Sequence, residues 1–506
     1  IALVNIQGNG MIGVAGVSAR LFTLLAANRI SVILISQASS EHSICFAVDP
    51  KSAFGVKEIL EQGFATEIEQ GLIDHIVVEQ NLSVIAVVGE GMKATSGTSG
   101  KLFSVLGKNG INVIATAQGS SELNISIVIQ KKDISKALNA IHETFFAIDG
   151  VTLHLYIVGA TGLIGRTLIH QLNTQKDYLK AKKGLNIQLV GLINSRKMLF
   201  RPEGINLITW ENDLQNEGEI ARLGEFIEDI QMHNLPNAVF VDSTANKDII
   251  QYYYPLLQAS VSIVTPNKVA NSGPYAQYLS LQQTARKGNA KFLYETNVGA
   301  GLPIINTLQG LITSGDKIHR IEAVLSGTLS YIFNTFEVGK KFVDVVKEAK
   351  EKGYTEPDPR EDLSGMDVAR KILILAREAG FSIEPSDIEV VPLLNEACVK
   401  APDVPSFYTA LEADNARFEQ LIQAAQAEEK VLRFVATLED GKAKVSLKTV
   451  GKEHPFFGLT GSENIVSFTT ERYKFNPLVI KGPGAGAEVT AMGVFADIMS
   501  ISSFLQ

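Results

Sequence analysis

The order of apolar and polar positions changes character twice along this 506-residue chain. Over the first ~150 residues, short strands with a period of two alternate with amphipathic helices, and the whole pattern occurs twice. Leu21–Ile33 aligns with Leu102–Ile114, and Gln37-Ala38-Ser39-Ser40-Glu41 aligns with Gln118-Gly119-Ser120-Ser121-Glu122. Each copy reads strand, glycine-rich turn, helix, strand, polar turn, alternating strand (Ser43–Val48 and Asn124–Ile129), then helix. A period of about 80 residues is too long for a solenoid and predicts a duplicated βαββαβ domain, over 1–80 and 81–150.

From Val151 the strands become nearly continuous apolar runs, which is how strands buried on both faces read. Leu153–Val158 leads into Gly159-Ala160-Thr161-Gly162-Leu163-Ile164-Gly165 and a helix through Arg166–Leu172. Further strands are expected at Ile187–Ile193, Ala238–Asp242 and Ser262–Val264. This predicts a Rossmann-type dinucleotide domain over 151–303. From Ile304 to Phe475 the pattern mixes helices with strands such as Lys430–Thr437 and Ala443–Leu447, which predicts a mixed sheet with helices on one face. A second glycine-rich loop, Gly482–Ala487, precedes a final helix beginning near Val489. The expected fold class is therefore α/β and α+β.

Composition narrows the function classes. Hydrophobic content of 45% and charged content of 20% describe an ordinary globular protein. A net charge of -8 argues against nucleic acid as a partner. No apolar run reaches the ~18–20 residues of a membrane span. Cys45 and Cys398 lie far apart, so no disulfide framework is implied and a reducing cytoplasm fits. The chain starts at Ile1, inside an expected strand, so it is expected to be the C-terminal part of something longer.

The chemistry concentrates in Gly353–Lys371. Two prolines and a glycine keep the first half of this segment out of a helix. Ser364 or Asp362 then caps a helix running through Met366, Ala369 and Ile372–Leu375. Asp367 and Lys371 fall one turn apart on one face. A carboxylate and an amine so placed, behind the acidic loop of Glu356, Asp358, Glu361 and Asp362, suit a small zwitterion and a proton transfer. In the dinucleotide region the order strand, glycine loop, helix puts a pyrophosphate on the helix N-terminus, against Gly159, Thr161, Gly162, Leu163 and Ile164. Thr161 stands where the common fingerprint has its second glycine. The strand Ile187–Ile193 ends in Ser195, Arg196 and Lys197 rather than a carboxylate, which favours a 2′-phosphate, so NADP over NAD. Thr328, in the turn Ser326–Asn334, either hydrogen-bonds the substrate or caps its helix.

The string Gly353–Lys371 closely resembles the active-site signature of homoserine dehydrogenases. Ser243–Asn246, Thr265–Lys268 and Lys291–Pro303 resemble that family as well, and the repeats resemble the paired ACT domains of aspartokinases. Together they resemble the C-terminal part of bifunctional aspartokinase–homoserine dehydrogenases, without the kinase signature. The resemblance implies reversible NAD(P)H-dependent reduction of aspartate 4-semialdehyde to homoserine, in threonine and methionine biosynthesis. It implies that Glu356 and Asp367 grip the substrate with Asp362 and Gly299 in support. Lys371 or Lys268 moves the proton, Thr244 and Lys268 approach the cofactor, and Gly353 and Gly486 contact it. It implies a monovalent cation, Na or K, at Glu295, Val298, Ala300 and Leu302, where the alternative is a structural turn. It also implies that residues 476–506 return to the dinucleotide domain, leaving 304–475 as the catalytic and dimerisation domain. Gln37 and Gln118 are implied to contact a threonine effector; the alternative is that they shape a turn. A homodimer or homotetramer is expected, and kinase activity is expected of a longer protein, not of these residues. The rivals are an acylating dehydrogenase, which needs a nucleophilic cysteine beside a histidine, and an amino-acid sensor without turnover.

Overall fold

A computed structural model describes residues 1–506 apart from 38–40, 90, 91, 93, 94, 120–122, 147–149 and 506. Ala38, Ser39, Ser40, Ser120, Ser121 and Glu122 of the repeated string lie outside the described residues. The chain divides into two compact units, 1–151 with 232–236, and 152–231 with 237–506.

The first unit holds both repeats. In the first, β1 (Ala2–Gln7), β2 (Leu34–Gln37), β3 (Ser43–Val48) and β4 (Val77–Glu79) form a sheet of order β2-β3-β1-β4. Alternation drives this: Val4, Ile6, Ile44 and Phe46 turn to one face and bury against Leu21 and Leu25 of the helix Val17–Ala27 and Val56 and Leu60 of the helix Ala53–Gly63. In the second, β5 (Leu82–Val88), β6 (Ala115–Gln118) and β7 (Asn124–Gln130) form a sheet of order β5-β7-β6. Its core is Ile85, Ile127 and Ile129 against Leu102 and Leu106 of the helix Thr98–Lys108 and Ala137 and Ile141 of the helix Ile134–Phe146. The opposite faces of the two sheets meet through Leu3, Leu34, Ala47, Leu82 and Val128. Among the described residues the second copy is βαββα, without the last strand of the expected βαββαβ. The next strand, β8 (Val151–Val158), is a central strand of a seven-stranded sheet, as expected of the first strand of a dinucleotide domain, and every residue from Leu153 to Val158 is buried there.

That larger sheet adds β9 (Leu185–Ile193), β10 (Lys197–Phe200), β11 (Glu219–Ile220), β12 (Ala238–Asp242), β13 (Ser262–Val264) and β14 (Phe292–Leu293), in the order β11-β10-β9-β8-β12-β13-β14. β8, β12, β13 and β14 run parallel. β8 lies between β9, which follows it in sequence, and β12, so the topological switch point falls at the C-terminal end of β8. The helix Leu163–Lys183 covers the sheet and stops at Gly184, whose φ of 56° is left-handed.

The remaining sheet is β15 (Ile318–Val324), β16 (Glu389–Val390), β17 (Val431–Glu439), β18 (Lys442–Val450), β19 (Glu463–Thr470) and β20 (Leu478–Pro483), in the order β16-β18-β17-β15-β19-β20. All its pairs are antiparallel except β16 with β18. After β20 the helix Ala487–Leu505 packs along the helix Leu163–Lys183, where Gln171 Nε2 donates to the Glu488 carbonyl at 3.0 Å. Among the described residues no helix is long and apolar enough to cross a membrane.

Candidate active site

The helix Met366–Glu378 carries the predicted pair. Its entry turns on Gly365, at φ 73°, where a Cβ would fall 2.8 Å from the Phe434 ring. Ser364 Oγ accepts from the Met366 N–H, whereas Asp362, the other expected cap, points elsewhere. Ahead of this helix Pro359–Leu363 forms one more helical turn, capped by Asp358. This corrects the expectation of an unbroken loop: a proline at the first helical position starts a helix as readily as an internal one breaks it.

Lys371 Nζ lies 2.8 Å from Asp367 Oδ2 and donates to the Leu325 carbonyl at 2.6 Å. Lys268, just ahead of the short helix Val269–Ser272, reaches the other oxygen of Asp367 at 3.6 Å, as does Arg370. Burial alone would raise the Asp367 carboxyl, but Lys371, Lys268 and Arg370 outweigh it and hold Asp367 well below the usual carboxylate range. Lys268 moves the other way. Burial and the neighbouring Lys371 and Arg370 lower its amine below the usual lysine value, against the pull of Asp367.

Asp362 braces the loop above. Its Oδ2 accepts from the Glu356 N–H at 2.8 Å, and Thr328 Oγ1 donates to its Oδ1 at 2.9 Å and to the Tyr354 carbonyl at 2.5 Å. Burial and the Asp367 carboxylate raise Asp362. Ser326, not Thr328, caps the helix Gly327–Thr335 by accepting from the Leu329 N–H. Glu356 is exposed beside this group. Gly353 ends the helix Phe342–Glu351 at φ 74° with open space around it, so its conformation follows from helix termination.

The glycine loop closes on the switch point. Gly159 (φ 80°) and Ala160 donate to the Ile193 carbonyl at the end of β9, and a Cβ on Gly159 would fall 2.8 Å from the Ser243 carbonyl oxygen. Gly165 faces the Gly159 and Ala160 carbonyls at distances no Cβ tolerates. The loop therefore leaves bare backbone at the helix N-terminus, Leu163 is 72% exposed there, and the buried Ser243 Oγ has no partner among the described residues. These features fit a dinucleotide. Thr161 lends its carbonyl to Arg166 Nε, and Ile164 is half-buried. Ser195 and Arg196 are exposed in the turn between β9 and β10, where Asn194 Oδ1 accepts the N–H groups of Arg196 and Lys197.

Sequence reasoning missed three buried acids. Asp242, fully buried at the end of β12, accepts from Thr244, Tyr253 and Asn267. Glu378 accepts from Tyr278 and Tyr294 at 2.9 and 2.5 Å. Asp497, in the last helix, accepts from the Glu295 N–H at 2.9 Å and is pushed up to about 7 by burial and the Glu295 carboxylate. An acidic residue ending an apolar strand, as in Val239-Phe240-Val241-Asp242, was the available signal for the first.

In the turn Glu295–Leu302, Gly299 and Ala300 are left-handed, at φ 73° and 53°. Both carboxylate oxygens of Glu295 accept N–H groups opening the helix Ile304–Thr313, from Ile305 and Asn306 at 2.7 and 2.8 Å. The Glu295 side chain is thus engaged, and so are two main-chain carbonyls of the turn: that of Glu295 accepts from the Val298 N–H at 3.3 Å and that of Leu302 from the Ile304 N–H at 2.8 Å. Gly486 (φ 121°) opens the final helix.

The first unit carries two matching cavities. One of about 350 Å³ is lined by Gly13–Ser18, Gln37, Glu41 and Ile44; its counterpart of about 300 Å³ is lined by Met92, Thr95, Ser96, Thr98, Ser99, Gln118 and Ile125. Each lies where a glycine-led loop enters a helix, and the two glutamines occupy equivalent positions.

Residues 303–499 match the family described as homoserine dehydrogenase, 161–295 its NAD-binding domain, and 4–64 and 85–145 the ACT domain. The chain is 47% identical to bifunctional aspartokinase/homoserine dehydrogenase 1 of Zea mays, a protein named as chloroplastic, across 100% of this chain and 55% of that one. It is 42% identical to the bifunctional protein of Haemophilus influenzae, across 99% of this chain and 61% of that one. The chain thus spans somewhat over half the length of these bifunctional relatives. Homoserine dehydrogenase of Schizosaccharomyces pombe is 40% identical over 69% of this chain and 96% of its own. Among solved structures, a Candida auris protein of unknown function superposes with a TM-score of 0.65 at 37% identity, over 70% of this chain and 99% of that one. A hyperthermophilic archaeal homoserine dehydrogenase in complex with NADPH shares the fold, with a TM-score of 0.55 at 24% identity over 70% of this chain and 98% of that one. The chain belongs to the homoserine dehydrogenase family, in a form that carries two ACT domains ahead of its NAD-binding domain.

Proposed function

We propose that the site around Asp367 interconverts homoserine and aspartate 4-semialdehyde. The carrying observation is one carboxylate shared by Lys371 at 2.8 Å and Lys268 at 3.6 Å, below a braced acidic loop. The nicotinamide, when bound, takes or returns the hydride. The protein's part is to hold the amino acid and move the hydroxyl proton. Asp367 and Glu356 receive the substrate's ammonium and hydroxyl groups, with Asp362, Thr328 and Gly299 shaping the pocket. Lys371 is committed to Asp367 and to the Leu325 carbonyl, so it orients the carboxylate. Lys268 has the weaker tie and an amine lowered by burial, which makes it the better proton carrier at the substrate oxygen. Homoserine-dependent reduction of NADP, followed by absorbance, tests the reading. Absence of turnover with homoserine would leave the sensor class instead.

The same reading extends outward. Arg196, exposed beside the glycine loop, selects NADP by its 2′-phosphate over NAD. The turn Glu295–Leu302 takes a monovalent cation through main-chain carbonyls. Threonine occupies the paired cavities beside Gln37 and Gln118, whose neutral amides bond an amino acid without adding charge. β5 is an edge strand of its sheet, which supports association of copies into a homodimer or homotetramer. The whole protein also carries aspartokinase activity, and works in a reducing compartment such as the cytoplasm, where the free thiols of Cys45 and Cys398 persist.

A further inference from the structure

Asp242 is a carboxylate that touches neither of the two lysines, yet two loops of the site depend on it. It is fully buried at the C-terminal end of β12. Its Oδ1 accepts from the Thr244 N–H at 2.9 Å and from Thr244 Oγ1 at 2.7 Å. Its Oδ2 accepts from the Tyr253 hydroxyl at 2.6 Å and from Asn267 Nδ2 at 3.1 Å. Its main-chain carbonyl accepts from Thr265 Oγ1 at 2.9 Å. Thus the loop after β12 and the loop after β13 converge on one side chain.

The second loop matters most, because it carries Lys268. The Asn267 amide is held at both ends: Nδ2 donates to Asp242 and to the Asn246 carbonyl at 2.9 Å, while Oδ1 accepts from the Val269 N–H at 3.1 Å. Val269 opens the turn of helix that Lys268 precedes. The flanking residues of Lys268 are therefore both tied to a chain of hydrogen bonds that ends on Asp242. Lys268 itself meets Asp367 at 3.6 Å, a distance with little margin.

We propose that Asp242, acting through Asn267, is the positioning residue that sets Lys268 against Asp367. This rests on the dehydrogenase reading above. Only an acceptor serves at both oxygens, because each faces an N–H that has no acceptor character: the Thr244 main chain on one, the Asn267 amide on the other. An Asp242→Asn side chain has the same shape but must turn an NH₂ toward one of them. A misplacement on the order of 1 Å costs about 10²-fold in a positioned reaction.

The parent chain is first assayed for homoserine-dependent NADP reduction; activity there establishes the underlying reading separately. Asp242→Asn is then expected to lower kcat about 10²-fold, with Tm and the KM for homoserine little changed. Asn267→Leu is expected to reproduce that loss, and the double variant to be no worse than either single, because the two residues form one chain of bonds. A purely structural role predicts loss of Tm in step with activity, and additive losses. Either of those results, or kcat within twofold of the parent in Asp242→Asn, overturns the proposal.

Discussion

Asp367, half-buried, and Lys371, buried one helical turn later, are joined at 2.8 Å, and the lysine's other hydrogen bond goes to the carbonyl of Leu325. An exposed pair of this spacing contributes only ~0.3–0.5 kcal/mol to a helix. This one has a second amine, Lys268, approaching the same carboxylate. Like charges are brought together here, which stability alone does not favour. Lys371→Ala is expected to lower kcat by about 10²–10⁴-fold with the fold intact. Circular dichroism beside steady-state kinetics checks it, and near-normal turnover would remove Lys371 from the site.

Lys268 gives the pH dependence. Homoserine oxidation needs its neutral amine, and burial lowers its affinity for a proton, so kcat is expected to rise with pH below the ordinary lysine range. The groups facing it are Asp367, Lys371 and Arg370. Lys268→Arg keeps the charge but does not titrate in this range, so it is expected to remove that rise. A pH–rate profile that keeps its rise in Lys268→Arg assigns the titration to another group.

Cofactor choice is expected to follow Arg196. Arg196→Asp places a carboxylate that repels a 2′-phosphate and accepts from a 2′-hydroxyl, so the ratio of kcat/KM for NADP over NAD is expected to fall by an order of magnitude or more, roughly the worth of one charge-assisted contact. Competition kinetics with both cofactors reads this directly. An unchanged ratio means Arg196 points away from the ribose.

Glu322 supplies an acid-side stability term. It sits in the central strand β15, about 9% exposed, between Arg320, Lys448 and His454. Burial opposes its charge, but the hydrogen bond from His454 and the charges of Arg320 and Lys448 win, lowering it to about 2. Because the folded value lies below the unfolded one, the contribution is present in full above the ordinary glutamate range. It fades as pH falls from there toward 2. Glu322→Gln is expected to destabilise by about 1–3 kcal/mol at neutral pH and to lose most of that difference in acid. Urea unfolding of both proteins across the acid range measures it.

Threonine is expected to bind the paired cavities and to couple to the dehydrogenase by about 1–3 kcal/mol. Calorimetry on the chain, and on Gln37→Ala and Gln118→Ala, reads the heat. Equal binding by the double variant makes the glutamines turn residues.

What was legible in the sequence was local. The runs Ala238–Asp242 and Ser262–Val264 emerge as strands β12 and β13, and the helix carrying Asp367 and Lys371 begins at Met366, with Ser364, one of its two expected caps, accepting from the Met366 N–H. The repeat exposed two modules, and equivalent glutamines line equivalent cavities. What stayed hidden depends on partners distant in sequence. Asp242 reads as a strand's last residue until Tyr253, Thr265 and Asn267 gather on it from other elements. Thr328 stayed open between a cap and a substrate contact because nothing local reveals that Asp362, 34 residues later, takes its hydroxyl.

The shared carboxylate is the centre of this account, and Asp367→Asn tests it most directly. The substitution keeps the shape and removes the charge that holds both lysines. The expected result is NADPH binding like the parent's and a kcat for homoserine oxidation at least about 10²-fold lower. A kcat within a few-fold of the parent, with the cofactor still bound, would contradict the account.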